Sequence, residues 1–302
     1  MQFSNFKDLK ISKIGFGCAG LSGSGGGYGF GEISDSEANS LVHRALDREI
    51  NLFDNAPIYG FGEAERRLGL ALKNKRHDAL IVSKCGVNWH ENKRVDMNND
   101  PDKCLDQLHS SLKRLKTDYI DIYMVHWPDS KYELEETFKP LLKAKQDGKI
   151  RFLGLSNFGN FDIDGIDFLQ GESNLFQSTI DSQENKFTQA WGTLDKGILS
   201  GSVKVDSVFE NSDCRKKSPW WKKSNWKEKV QKSTALFNFL KSREINPIEF
   251  AIRYNTDYRS LSQTLCGFKN ISHLEILDTL WSREISDSDF KEGHKLVQGE
   301  HE

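Results

Sequence analysis

Short apolar runs alternate with amphipathic segments along the first two thirds of the chain. We interpret the runs as buried strands and the segments with helix-spaced apolar residues as helices. The predicted strands are Ile14–Gly17, Asn51–Asp54, Ala79–Lys84, Tyr119–His126, Ile150–Leu155 and Asn174–Ile180, and a seventh starts at Gln189. The first predicted helix ends at about Asp47, and the next three span Glu63–Lys73, Pro101–Leu115 and Glu133–Gln146. This repeating order is typical of parallel strands joined by helices.

The number of these units favours a closed barrel over an open sheet. A (β/α)8 TIM barrel commonly contains about 250 residues in one domain, and this chain has 302. We therefore predict an α/β fold with one barrel domain over residues 1–302. Residues 281–302 are mostly polar and are predicted to form a C-terminal tail.

The connection after the sixth predicted strand breaks the pattern. Only Asp181–Thr188 separate Ile180 from Gln189, whereas a crossover between parallel strands needs about a dozen residues or more, normally with a helix. We predict that the helix between strands six and seven is missing. The outer faces of these strands would then need another cover, either another part of this chain or a second copy. Because the C-terminal residues are mostly polar, we expect the second copy, in a homo-oligomer.

Composition and charge exclude several classes of function. The chain has 42 Lys and Arg against 44 Asp and Glu, a net charge of −2, which gives no reason to expect nucleic acid as a partner. Met1–Lys10 lacks the apolar core of a signal peptide, and no run approaches the ~18 apolar residues of a membrane span. The 5 scattered cysteines are expected to be buried thiols of a cytoplasmic protein. The 8 histidines show no metal-binding spacing, so no metal is expected.

Two segments are candidates for the mouth of a site. Ser22–Gly31 is a Gly-rich loop after the first strand, and Arg215–Lys232 combines many basic residues with three tryptophans. Basic charge with aromatic rings also suits nucleic acid, but in a neutral protein a loop that closes over an anionic cofactor fits better. We expect the Gly-rich loop, Trp89 and the pair Trp220–Trp221 to line an aromatic-walled pocket.

Four polar residues stand at or just beyond the carboxyl ends of successive predicted strands. Asp54 ends the second strand, Tyr59 follows it, Lys84 ends the third and His126 ends the fourth. In a parallel barrel these ends open onto one face, where catalytic residues lie. Each residue alone also fits an ordinary role as a cap, loop packing, a surface charge or a buried histidine. Their joint placement is what indicates an active site.

The four residue types suit the reduction of a carbonyl group. A free tyrosine has a pKa near ~10 and is a poor acid at neutral pH, and a nearby lysine ammonium favours the phenolate. We therefore assign Tyr59 as the proton donor, Lys84 as the activating cation and Asp54 as the carboxylate that holds the lysine. His126 would donate to the substrate oxygen or help to relay the proton.

Several motifs resemble those of the aldo-keto reductase family, from about Leu9 to Leu280. They are Phe53-Asp54-Asn55-Ala56-Pro57-Ile58-Tyr59-Gly60, Gly62-Glu63, Leu68-Gly69-Leu70-Ala71-Leu72, Ser83-Lys84, Val125-His126-Trp127-Pro128, Gly148-Lys149-Ile150-Arg151 and Gly154-Leu155-Ser156-Asn157-Phe158. Asp54, Tyr59, Lys84 and His126 match the catalytic tetrad of that family. The resemblance implies NADPH-dependent reduction of an aldehyde or ketone, such as a sugar or an aromatic carbonyl, to the alcohol.

The resemblance also implies a binding site for NADP(H). Ser156, Asn157 and Gln177 match the residues that hold the nicotinamide carboxamide, and Trp191 matches the aromatic residue that stacks on the ring. Lys269, in a motif that meets the adenosine 2′-phosphate, implies NADPH rather than NADH. The remaining matches are Gly192, Leu194 and Lys196 at the pyrophosphate, and Gly267 and Asn270 beside Lys269.

One departure from the family pattern leaves other functions open. The late motif usually continues to a Glu and an Asn that grip the adenine, and this chain has Ile276 and Leu277 at those positions. A non-catalytic, cofactor-sensing or regulatory protein on the same fold is therefore one alternative. Independently of this departure, an unrelated barrel enzyme is another alternative, such as a lyase that uses Lys84 as a Schiff-base amine.

Overall fold

The computed structural model, which describes residues 1–24, 29–161 and 163–299, contains a closed barrel of parallel strands. The strands are β1 (Phe3–Phe6), β2 (Leu9–Ser12), β3 (Ile14–Gly17), β4 (Leu52–Asp54), β5 (Leu80–Cys85), β6 (Val87–Trp89), β7 (Val95–Met97), β8 (Ile120–Val125), β9 (Ile150–Ser156), β10 (Phe168–Glu172), β11 (Phe187–Trp191) and β12 (Gln263–Gly267). Strands β3, β4, β5, β8, β9, β10, β11 and β12 follow one another around the barrel, and β12 pairs with β3 to close it. The predicted TIM barrel is confirmed.

Helices on the outside cover most of the barrel. They are α1 (Asp35–Asp47), α2 (Glu63–Ala71), α3 (Pro101–Leu115), α4 (Leu134–Gln146), α5 (Pro219–Lys222), α6 (Trp226–Ser242), α7 (Pro247–Arg253) and α8 (Asp287–Gln298). Ser34 and Glu37 form a capping box at the start of α1. Within the described ranges, no helix is both long and apolar enough to span a bilayer.

The amino-terminal hairpin of β1 and β2 closes the bottom of the barrel. The ring of Phe6 packs against Phe152, Phe168 and Phe187, with ring centroids 5.3 to 6.5 Å apart. Phe168 and Phe187 are the first residues of β10 and β11. The lower interior is therefore apolar, and the polar side chains of the site lie above it, toward the carboxyl ends of the strands.

The predicted position of the sixth barrel strand was wrong. The strand is β10, and Asn174–Ile180 is instead a loop that turns back on it, with an antiparallel bridge between Ser173 and Ser178. Ile180 is buried like a strand residue because it packs on the outer face of β10 at Gly171. Burial of apolar residues alone does not distinguish a strand from a loop lying on a sheet.

The connections on either side of β10 lack helices over their described residues. Residues 173–186 contain none, and neither do residues 157–161 and 163–167. Ile166 and Ile180 from these connections join Leu169 and Ala190 in the main hydrophobic core. The chain itself therefore covers this side of the barrel, which removes the reason for expecting a second copy there.

The predicted polar tail also needs correction. Residues 281–302 include α8, an amphipathic helix that packs against α6 and buries Phe290 and Val297. Its first turn is capped by Ser286 and Asp289. The acidic residues that suggested a tail lie on the polar face and in the capped first turn of α8.

Candidate active site

Lys84 and Asp54 form a buried ion pair at the upper end of the barrel. The Nζ of Lys84 donates to both Asp54 carboxylate oxygens at 2.8 and 2.9 Å and to the Asn55 carbonyl oxygen at 2.9 Å. Lys84 is 0% exposed, and an ammonium can be buried only when its donors are satisfied. Three acceptors therefore fix the position of this positive charge.

Tyr59 lies beside this charge in the loop between β4 and α2. The Lys84 Nζ is 5.5 Å from the centroid of the Tyr59 ring. The His126 ring stands edge-on to the same ring, with centroids 6.2 Å apart and planes at 84°. The four residues predicted from successive strand ends thus meet in one cluster.

The surroundings of His126 favour its neutral form. It is 8% exposed, and burial, followed by the nearby Lys84 charge, lowers its pKa well below the ordinary value. Its backbone N–H donates to the Cys85 carbonyl oxygen at 2.9 Å, which ties it to β5. A neutral imidazole offers one N–H donor without adding a second positive charge to the site.

Ser156, Asn157 and Trp191 form a second group at the same end of the barrel. Asn157 has a left-handed backbone with φ of 67°, a conformation that asparagine tolerates better than most residues. Its Nδ2 donates to the His126 carbonyl oxygen at 2.9 Å and to the Ser156 Oγ at 3.0 Å. Its Oδ1 accepts from Trp191 Nε1 at 2.9 Å. The predicted nicotinamide residues therefore contact the catalytic group directly.

Gln177 is not part of this group. It is exposed in the loop after β10, where its carbonyl oxygen accepts from Asn174. Gln170, which the sequence analysis did not single out, is buried instead and hydrogen bonds both Ser156 and Asp54. The signal for Gln170 was a polar residue directly after the apolar pair Phe168-Leu169, but the strand had been placed too late in the chain.

The predicted pyrophosphate stretch forms a turn that carries paired charges. Lys196 donates to Glu172 at 2.6 Å and to Asp195 at 3.2 Å, and Lys229 donates to Asp195 at 2.7 Å. Burial works against the charge of Lys196, but Asp195 and Glu172 outweigh it and raise the pKa of this ammonium. Gly192, with φ of 73°, and Leu194 shape the turn before these charges.

The predicted 2′-phosphate motif lies at the end of β12. Gly267, Lys269 and Asn270 are exposed, and the space where a Gly267 side chain would stand is open. Asn270 caps the short helix Ile271–Asp278 by accepting from the backbone N–H of His273. A cation and exposed backbone groups are therefore available to an anionic ligand here.

A second cation, Arg215 of the predicted basic segment, lies on the same rim. Arg215 donates to both carboxylate oxygens of Asp213 and to the Lys196 carbonyl oxygen. Burial opposes the ionisation of Asp213, but Arg215 and Lys269 lower the pKa of its carboxyl. Asp213 also bridges Phe30, so this segment and the loop after β3 meet across the rim.

The aromatic residues expected at the mouth divide between two places. Trp221 is buried and stacks on Trp226 with centroids 5.5 Å apart, so it belongs to a small local core and does not line a pocket. Trp220 lies with its ring 5.9 Å from the Nζ of Lys196. Trp89, the last residue of β6, packs against Phe61 with ring centroids 5.8 Å apart, in a cluster that also includes Tyr59. Within the predicted Gly-rich loop, residues 25–28 lie outside the described residues.

The positions at the predicted adenine end are apolar and structural. Ile276 and Leu277 lie in the short helix after Asn270 and pack, partly buried, against the main core. They supply no hydrogen-bonding side chain at this place. This part of the rim therefore presents apolar side chains where the family pattern has a Glu and an Asn for the adenine.

Comparison with known proteins identifies relatives with the same architecture. Residues 13–298 match the model of the aldo/keto reductase family. The chain is 29% identical to the aldo-keto reductase YhdN of Bacillus subtilis, covering 99% of this chain and 94% of that protein. It is 31% identical to the NADH-specific methylglyoxal reductase of Escherichia coli over 72% of this chain and 74% of the relative. The structure of the glycerol dehydrogenase AKR11B4 from Gluconobacter oxydans matches with a TM-score of 0.83 and 27% identity, covering 99% of this chain and 95% of that one.

Proposed function

The chain belongs to the aldo/keto reductase family, a family of oxidoreductases that use nicotinamide cofactors, and we propose that it reduces an aldehyde or ketone to the alcohol with NADPH. In this proposal Tyr59 is the general acid. The grouping of Asp54, Tyr59, Lys84 and His126 at one end of the barrel supports this proposal.

The observation that carries the proposal is the buried Lys84 ammonium between Asp54 and Tyr59. Asp54 holds the charge in place, and the charge stabilises the phenolate that Tyr59 becomes when it gives its proton to the substrate oxygen. The neutral His126 donates an N–H to the same oxygen while negative charge develops on it. These donors are in position before the reaction begins.

The residues present fit a nicotinamide dinucleotide. Ser156, Asn157 and Gln170 offer hydroxyl and amide groups for a carboxamide, and Trp191 offers a ring to stack on. When bound, the reduced nicotinamide supplies the hydride. Lys269 and the neighbouring rim cations would hold the phosphates, and an exposed lysine at the 2′-phosphate position favours NADPH.

Aromatic side chains suggest the kind of carbonyl compound that enters. Tyr59, Phe61 and Trp89 form one wall, and Trp127 stacks beside His126 with ring centroids 6.3 Å apart. Such walls suit an aromatic aldehyde or the apolar face of a sugar. Methylglyoxal, which the Escherichia coli relative is named for, is a small dicarbonyl worth including in a substrate screen.

The lyase alternative is disfavoured by the state of Lys84. A Schiff base needs a neutral amine with a free lone pair, whereas this ammonium donates to three oxygens in a buried site. Borohydride trapping of a substrate on Lys84 would reverse this conclusion. A cofactor-sensing protein would bind NADPH but turn over no carbonyl compound in the screen.

The test is Tyr59→Phe, which keeps the ring and removes the acidic proton. We expect kcat for NADPH oxidation with 4-nitrobenzaldehyde or methylglyoxal to fall at least ~100-fold, with NADPH affinity little changed. Tyr258→Phe, on a tyrosine that packs against Phe290 away from the tetrad, is the matched control. Turnover close to that of the wild type in Tyr59→Phe would refute the mechanism.

A further inference from the structure

Three glutamines face one another inside the barrel, on the adjacent strands β10, β11 and β12. Gln170 pairs in register with Gln189, and Gln189 pairs with Gln263. They are 4%, 0% and 0% exposed. Barrel interiors are usually filled by branched apolar side chains, and a buried amide is destabilising unless its hydrogen bonds are made. A row of three amides in this place therefore needs a physical reason.

The lower part of the row is a chain of hydrogen bonds with a fixed direction. The Nε2 of Gln263 donates to the Ser12 carbonyl oxygen at 2.7 Å. The Nε2 of Gln189 donates to the Oε1 of Gln263 at 2.6 Å, and the Nε2 of Gln170 donates to the Oε1 of Gln189 at 3.3 Å. A backbone carbonyl only accepts hydrogen bonds. The Ser12 carbonyl thus sets which end of Gln263 faces it, and each amide sets the next.

The upper part of the row ends on the catalytic group. The Nε2 of Gln170 also donates to the Oδ2 of Asp54 at 2.7 Å, while its Oε1 accepts from the Ser156 hydroxyl at 3.0 Å. The same Asp54 oxygen accepts from Lys84 at 2.9 Å. If the side-chain amide of Gln170 were flipped, its oxygen would face the Asp54 carboxylate and repel it.

We propose that Gln189 and Gln263 are positioning residues, which fix the Gln170 amide and through it hold Asp54 in the orientation that keeps Lys84 beside Tyr59. The proposal rests on the proposed function, because it concerns the orientation of that tetrad. Gln189 and Gln263 touch neither substrate nor cofactor in this account. They act only through Gln170, and Gln263 acts only through Gln189.

The test uses two single substitutions in the row of glutamines, Gln189→Met and Gln263→Met. Each keeps the length of the side chain and removes the amide. Each leaves the next amide free to turn. At saturating NADPH we expect kcat with 4-nitrobenzaldehyde to fall about 10- to 100-fold, the scale of a small misplacement of catalytic groups. The KM for the aldehyde should change by less than about threefold, because no group that binds the substrate is lost.

The double variant separates positioning from general damage. Because Gln263 acts only through Gln189, adding Gln263→Met to Gln189→Met should lower kcat no further. Thr188→Val is the control: Thr188 is buried on the outward face of β11, and its hydroxyl lies 3.3 Å from that of Ser262. Thr188→Val should lower the melting temperature about as much as the two Gln→Met variants do, but it should leave kcat unchanged. Wild-type kcat in both folded single variants, or additive losses in the double variant, would overturn the proposal.

A measurement on the wild type decides the matter if the variants do not fold. With ¹⁵N-labelled glutamine, the side-chain NH₂ protons of Gln189 and Gln263 should resist exchange with deuterated solvent, because each is held in one orientation. Exchange at the rate of an exposed glutamine would overturn the inference. The proposed function fails separately, through full turnover in Tyr59→Phe, so the two failures are distinguishable.

Discussion

Single residues at this site act through charges whose positions are fixed by burial. Lys84 has all three donors satisfied in the core of the barrel, and His126 is kept neutral by the same surroundings. In the proposed mechanism the buried Lys84 charge favours the Tyr59 phenolate, and a neutral His126 adds an N–H donor without a second buried positive charge. The chemistry therefore depends on which groups the fold allows to be charged.

Cofactor choice is also a residue-scale question, and Lys269 is the residue at which the proposed preference for NADPH can be tested. Lys269→Ala should weaken NADPH and leave NADH nearly unchanged, since only NADPH carries the 2′-phosphate. A charge-assisted contact contributes roughly 1.5–3 kcal/mol, which corresponds to about 10- to 150-fold in affinity. Fluorescence titration with both cofactors measures this effect.

The control for this experiment is Lys291→Ala, at an exposed lysine of α8. It removes the same net charge from the chain and should change neither affinity. Equal weakening of NADPH and NADH by Lys269→Ala would mean that the 2′-phosphate is held elsewhere, with Arg215 the next cation to test.

At the scale of elements, the unusual feature is a side of the barrel covered by loops. At Gly171 on the outward face of β10, an added Cβ would lie 2.8 Å from the Cβ of Ile180. Only glycine lets the returning loop come this close to the strand. A compact loop thus replaces the helix that normally covers this side of a barrel.

We predict that Ile180→Ala lowers the free energy of unfolding by about 2–5 kcal/mol, as expected for truncation of a fully buried aliphatic side chain. Ile271→Ala, at an isoleucine that is 44% exposed, is the matched control and should cost less than about 1 kcal/mol. Urea unfolding followed by circular dichroism compares the two. Equal effects would show that the loop does not contribute to the core.

At the scale of the whole molecule, the buried His126 makes stability depend on pH. Its pKa is lowered in the folded state, so the unfolded chain binds a proton first as the pH falls through ~6.5. The contribution is complete above that pH and is lost below it, by at most about 1.4 kcal/mol per pH unit. His273 shifts in the same direction, because of burial and then the Lys269 charge.

Comparing urea unfolding at pH 7.5 and pH 5.5 tests this linkage. The wild type should lose roughly 1 kcal/mol more stability between these values than His126→Asn. His77→Asn, at an exposed histidine, should behave like the wild type. An identical pH dependence in wild type and His126→Asn would mean that His126 is not held neutral by the fold.

The sequence by itself determined the barrel, its first five strands and the grouping of four polar residues at the strand ends. These features follow from local patterns: apolar runs give strands, helix-spaced residues give helices, and the carboxyl ends of parallel strands share one face. Asp54, Tyr59, Lys84 and His126 could therefore be grouped without coordinates. The length argument for the connection before β11 does not hold, because it counted only Asp181–Thr188 after a misplaced strand. The connection spans residues 173–186, which is long enough for a crossover helix.

Only the tertiary structure decided which buried residues belong to barrel strands and which belong to segments that pack on the outside of the strands. Ile180 looked like a strand residue because it is apolar, and α8 looked like a tail because its buried face is narrow. Gln170, not Gln177, reaches Asp54 because the register of β10 turns it inward. The row from Ser12 to Gln263, Gln189 and Gln170 joins residues far apart in the chain, and hydrogen-bond direction across neighbouring strands leaves no periodic pattern in a sequence.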